Sequence, residues 1–70
     1  GELEKARETL EKAAAIEPED PSITEHLGDV HRALGNDEQA LYYYRKSLDL
    51  DNSDEYRRTI REKIDAIQQP

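Results

Sequence analysis

Apolar residues recur along the chain with the period of a helix, in four blocks parted by short polar joints. In the first block Leu3, Ala6, Leu10, Ala13 and Ala14 form one stripe, which predicts a helix over residues 2–16. Glu17-Pro18-Glu19-Asp20-Pro21 breaks it, since a proline disfavours helical backbone in the residue before it. Asp20 is the expected N-cap of the next helix, with Pro21 at its first position, where a missing N–H costs nothing. Ile23, Leu27, Val30 and Leu34 stripe that second helix, and Gly35 ends it in the left-handed conformation that closes helices. A third helix is expected over residues 37–50, with Ala40, Leu41, Tyr44, Ser47 and Leu48 inward. So short a joint forces the second and third helices into an antiparallel hairpin. Asp51-Asn52-Ser53 is a further turn, with Asn52 or Ser53 as N-cap. Tyr56, Ile60, Ile64 and Ile67 mark a fourth helix over residues 54–68, and Gln68-Gln69-Pro70 is expected to fray. The expected class is all-α.

Two of these blocks echo each other. Gly35-Asn36-Asp37-Glu38-Gln39-Ala40 matches Gly1-Glu2-Leu3-Glu4-Lys5-Ala6 at an offset of 34, and the match continues through Leu10 with Tyr44, Ala13 with Ser47, Ile16 with Leu50 and Pro18 with Asn52. A period of that length marks a helical hairpin repeated along a chain. Such repeats stack into solenoids that bind other proteins on a concave face.

Composition narrows the partners. Seventy residues make one small domain, close to the lower limit for a core that stands unaided. With 34% apolar and 39% charged residues, the apolar positions must be well placed to bury anything. The absence of Cys excludes disulfides and thiol chemistry. The net charge of −7 argues against nucleic acid, where affinity rests on neutralising phosphates. That charge is uneven: seven acids face three bases over residues 1–20, six face three over 21–52, and four face four over 53–70. No apolar run approaches a membrane span and no signal segment opens these residues, so the expected setting is soluble, with the cytoplasm favoured and no membrane partner.

Thr24, Leu27-Gly28 and His31, followed by Gly35, Asp37, Ala40, Tyr44, Ser47 and Asn52, resemble the tetratricopeptide repeat, a 34-residue pair of antiparallel helices. The family pattern places a bulky residue, Leu-Gly and Tyr in its first helix, then Gly, Tyr, Ala, Phe or Tyr, Ala and Pro. Thr24, His31, Asp37 and Asn52 depart from it, but no close-packing small residue is lost. Gly28 and Ala40 are expected to let the two backbones approach closely. The alternative for Gly28 is an ordinary helical glycine, tolerated at about 1 kcal/mol. The resemblance implies a right-handed solenoid unit spanning residues 1–70. In it residues 2–16 are the second helix of a truncated repeat, 21–52 one complete repeat, and 54–68 a C-terminal capping helix. That last helix aligns with residues 21–35 at an offset of 33, which puts Arg61 in the place of Gly28.

Catalytic constellations are not expected. His26 and His31 are five apart, hence about 140° apart on a helix, and cannot share a metal through one face. Residues 49–55 hint at a calcium loop but have Asp54 where it needs Gly and Ile60 where it needs Glu. There is no Gly-rich phosphate loop and no nucleophile–His–acid order. No enzyme activity, cofactor or metal is expected. In the tyrosine run, Tyr44 belongs to the core by resemblance and Tyr42 is expected to be exposed.

By resemblance, the inner groove is lined by the first helices of repeats. Carried over, these positions are Ser22, Glu25, His26, Asp29, Arg32 and Ala33, with Glu55, Arg58, Thr59, Glu62 and Asp65 on the fourth helix. Family members that clamp the C-terminal carboxylate of chaperones use Lys and Asn where this chain has Glu25 and Asp29, and acids there repel a carboxylate. No such clamp is expected; a mildly acidic groove suits an extended segment carrying Lys or Arg. The expected role is a protein–protein interaction module. The alternative is a structural or self-assembling segment, a homodimer for instance, associating through Leu3, Ala6, Leu10 and Ala13.

Overall fold

The computed structural model describes residues 1–69, which form four helices: α1 (Glu2–Ile16), α2 (Pro21–Ala33), α3 (Asp37–Leu50) and α4 (Asp54–Gln68). Pro70, expected at the fraying end, lies outside the described residues. Asp20 caps α2 as its position requires. Its carboxylate accepts from the backbone N–H groups of Ser22 at 2.8 Å and Ile23 at 3.4 Å, with Pro21 at the first helical position. The helix ends at Ala33, one residue earlier than its apolar stripe suggested, because Leu34 takes the C-cap position at φ −80° and ψ −3°. Gly35 then turns left-handed at φ +83°. Its N–H donates to the Arg32 carbonyl at 3.0 Å and that of Asn36 to the His31 carbonyl at 2.8 Å, the two bonds of a Schellman closure. At the other turn Ser53 is the N-cap by backbone position, but its hydroxyl makes no capping bond. Asp51 supplies the local order instead, its Oδ1 accepting from the Ser53 N–H at 3.0 Å.

Helices α2 and α3 run antiparallel: Gly28 and Asp29 meet Tyr44, while His31, farther along α2, meets the earlier Tyr43. The space above Gly28 holds the Tyr44 ring. A Cβ built there would lie 2.5 Å from Cε1 and 2.6 Å from Cδ1 of that ring. The atoms nearest a Cβ at Gly28 are those of the Tyr44 ring, so the close approach there is of a helix to an aromatic ring, with Ala40 fully buried in the same cluster. Ala40, Tyr44, Ile60 and Ile64 form the buried cluster, flanked by Leu41, Leu48, Tyr56 and Ile67, so α4 closes the far side of α3. Leu27 is the buried apolar residue of α2.

Three buried positions are polar, and each has a local partner. Thr24 Oγ1 donates to the Asp20 carbonyl at 3.1 Å and Ser47 Oγ to the Tyr44 carbonyl at 2.7 Å. The Asn36 side-chain amide lies 3.4 Å from His31 Nδ1, and the His31 ring stacks on Tyr43 at 5.4 Å between centroids. Among the described residues no buried side-chain polar atom lacks a partner. Helix α1 packs on α2 without burying any residue completely. The result is a flat body of 31 × 30 × 15 Å.

Candidate functional site

Glu25 and Asp29 stand one helical turn apart on α2, so their carboxylates project from the same edge. Tyr56 and Lys63 do the same on α4, two turns apart. Packing of Ile60 and Ile64 on α3 turns that edge of α4 toward α2. The Lys63 ammonium reaches Glu25 Oε2 at 2.6 Å and both oxygens of Asp29, at 3.0 and 3.1 Å. Tyr56 lies within hydrogen-bond distance of Glu25 Oε1 at 2.9 Å and of the Pro21 carbonyl at 3.1 Å. Tyr44, rising from α3, donates its hydroxyl to Asp29 Oδ1 at 2.6 Å. Its ring centroid is 5.8 Å from the Lys63 nitrogen, close enough for a cation–π attraction.

Two carboxylates therefore share one ammonium and two phenols. Burial pushes the Tyr56 hydroxyl up, and its bond to Glu25 adds to this, to about 12. Tyr44 moves up for the same two reasons, burial first and then Asp29, while Arg32 pulls the other way. For Lys63, burial works against the charged form, but the bonds to Glu25 and Asp29 outweigh it and the ammonium is held above the usual lysine range. The cluster keeps one net negative charge, and both hydroxyls act as donors to the carboxylates.

The contacts between α2 and α4 join residues 35, 31, 38 and 34 positions apart. A near-constant difference means that the two helices run parallel, one repeat length apart, on one side of the body. Of the groove positions expected from the sequence, Glu25 and Asp29 come together through Lys63. Ser22, His26, Arg32 and Ala33 on α2 and Glu55, Arg58, Thr59, Glu62 and Asp65 on α4 are exposed. Thr59 lies on the same helical edge as Tyr56 and Lys63, whereas neither Arg58 nor Glu62 bonds to α2. Lys63 is the main residue that the sequence reading passed over. Its signal was its distance of 34 residues from Asp29, which equals the repeat period.

Elsewhere the surface is less organised. Arg7 is bridged by Glu4 and Glu11 along α1, facing a shallow crevice shared with His31, Asn36 and Tyr43. Of the α1 stripe, Ala6, Leu10 and Ala13 are half-buried, and Leu3 is exposed. Tyr42 is 56% exposed, edge-on to Tyr43. Among the described residues no group of three or more His, Cys, Asp or Glu is placed to hold a metal, and no helix is long and apolar enough to cross a membrane.

The family model of the tetratricopeptide repeat matches residues 25–54, which take in most of α2, all of α3 and the turn into α4. The match supports a tetratricopeptide repeat over those residues. The match agrees with the antiparallel hairpin of α2 and α3. No curated protein and no solved structure matches the chain. Tetratricopeptide repeats serve in protein–protein interaction rather than in catalysis, and they bind proteins or peptides.

Proposed function

We propose that this chain is a protein-interaction module that takes up an extended segment along the face shared by α2 and α4. One observation carries the reading. The two helices run parallel and are joined at Glu25, Asp29 and Lys63, and both present exposed polar side chains beside that junction. Ser22, His26 and Arg32 flank it on α2, and Arg58, Thr59 and Glu62 stand on α4. Acids outnumber bases on these two helices' groove positions even with Lys63 counted, so the segment is one carrying Lys or Arg. The same acids disfavour a terminal carboxylate, which argues against a chaperone-type clamp.

The test is a titration of labelled extended peptides of matched length, followed by fluorescence anisotropy. A lysine-rich peptide is expected to bind more tightly than an acidic one, and Arg58→Glu to change its affinity without lowering the melting temperature. Tighter binding of the acidic peptide would overturn the sign of the groove.

A second reading, association between copies through α1, draws on the exposure of Leu3 and of Ile16, which is 79% exposed. Light scattering across micromolar concentrations decides it: a mass that stays monomeric removes this reading.

A further inference from the structure

We propose that Lys63 is a ligand built into the chain: its ammonium occupies the place that a lysine of a bound segment takes, so α4 and that segment compete for Glu25 and Asp29. This rests on the reading of the α2–α4 face as the binding face. It adds a regulatory device to that face.

The geometry around Lys63 has the makeup of a site for a primary ammonium. Such a group has three hydrogens to donate, and Nζ finds Glu25 Oε2 at 2.6 Å and the two Asp29 oxygens at 3.0 and 3.1 Å. The Tyr44 ring, 5.8 Å away, supplies the aromatic wall. The carboxylates do not depend on Lys63 alone for their placement. Tyr56 lies 2.9 Å from Glu25, and Tyr44 donates to Asp29 at 2.6 Å, so two phenols outside the ammonium hold the acids in position. The acids belong to α2 and the cation to α4, and they meet across a helix junction, as a ligand meets its receptor.

The contact is also open to exchange. The side chains of Lys63 and Asp29 are 29% and 42% exposed and that of Glu25 is 16% exposed, so an incoming ammonium approaches from the Asp29 side. The Lys63–Asp29 pair, with that much water around it, holds weakly and is the one that opens first. A segment that brings a lysine to Glu25 and Asp29 replaces one ammonium with another and frees the Lys63 arm. Such a replacement is nearly neutral in charge, so the affinity of the unaltered chain for a single lysine is low.

The test uses Lys63→Met, which keeps the apolar stem and removes the charge, and Lys63→Ala as a second variant, both checked for helicity by circular dichroism. The Lys63→Met chain is expected to bind the lysine-rich peptide about tenfold more tightly than the unaltered chain, a gain equal to one charge-assisted bond freed for the ligand. Adding Asp29→Asn to it should cancel the gain. In Lys63→Ala, millimolar n-propylammonium should raise the melting temperature, while leaving the unaltered chain and the Lys63→Ala/Asp29→Asn chain unmoved. Peptide affinity equal to or below that of the unaltered chain in Lys63→Met overturns the competition and leaves the binding face standing. Rescue by n-propylammonium with no peptide bound by any variant upholds the ammonium site and overturns the binding face. The absence of both rescue and tighter peptide binding overturns the built-in ligand.

Discussion

The ring of Tyr44 lies against Gly28 so closely that a single added carbon on the glycine would sit 2.5 Å from Cε1. Real carbon atoms do not approach so near, and the ring is fully buried and cannot swing away. Replacing Gly28 with Ala would gain about 1 kcal/mol of helix propensity, yet overpacking of this kind costs roughly 1–3 kcal/mol. Gly28→Leu, with more to accommodate, should fall at the upper end of that range or beyond. Urea unfolding of Gly28→Ala, Tyr44→Leu and the double variant should show the two changes to be non-additive, because shrinking the ring makes room for the carbon. Strict additivity would mean that the ring is not what excludes a side chain at position 28.

Gly35 is constrained by backbone rather than by space. No atom lies within 4 Å of where its Cβ would stand, but φ is +83°. Gly35→Ala should therefore cost about 1–2 kcal/mol, the price of left-handed backbone in an L-residue. Gly35→Asn should lose less, since asparagine visits that region more readily. Thermal unfolding of the two variants separates them, and equal losses would count against this cause.

Asp20 holds two N–H groups at the start of α2. Asp20→Ala should lower stability by about 1 kcal/mol, and Asp20→Ser should recover most of it. Chemical denaturation is the measurement. An Asp20→Ser loss as large as that of alanine would show that something other than capping is at stake.

Alkali should loosen the α2–α4 junction. In an unfolded chain tyrosine ionises near 10 and lysine near 10.4. In the fold Tyr56 is pushed up to about 12, by burial and then by Glu25, and Tyr44 and Lys63 are also raised. All three groups hold their protons more tightly folded than unfolded. The stability they contribute is present in full below about pH 10 and is lost as pH climbs toward and through the folded values. The urea midpoint should fall from about pH 10 upward, and Tyr56→Phe should flatten that fall. A slope untouched by the substitution would place the alkaline loss elsewhere.

Most of the fold could be read from the chain because its determinants are local. Asp20-Pro21 starts α2 and Gly35 ends it, each acting through the few backbone groups beside it. The apolar spacing of Ile60 and Ile64 likewise announces which side of α4 is buried. The Gly28 contact was only half legible. A glycine in a helix signals that something lies close, but whether a small residue or a ring fills the space depends on the crossing of the two helices. The junction at Lys63 was least legible. Its polar bonds join residues 31 to 38 apart, and a charged residue on an amphipathic helix looks the same in sequence whether solvent or a carboxylate awaits it. Groove positions carried over from a repeat pattern could not show that two of them were already occupied.

The two helix junctions differ in kind. Inside the hairpin, Tyr44 meets a bare backbone, a contact of shape that dissolved ions leave untouched. Between α2 and α4 the polar bonds run through carboxylates and an ammonium, partly open to water, at 2.6 and 3.0 Å, well inside the screening length of about 10 Å at 0.1 M, so dissolved ions weaken them only in part. Ionic strength thus touches the two junctions unequally: raising it eases the polar bonds of α4 to α2 modestly and leaves the fit of ring to backbone inside the hairpin as it was, with Ile60 and Ile64 still seated in the core.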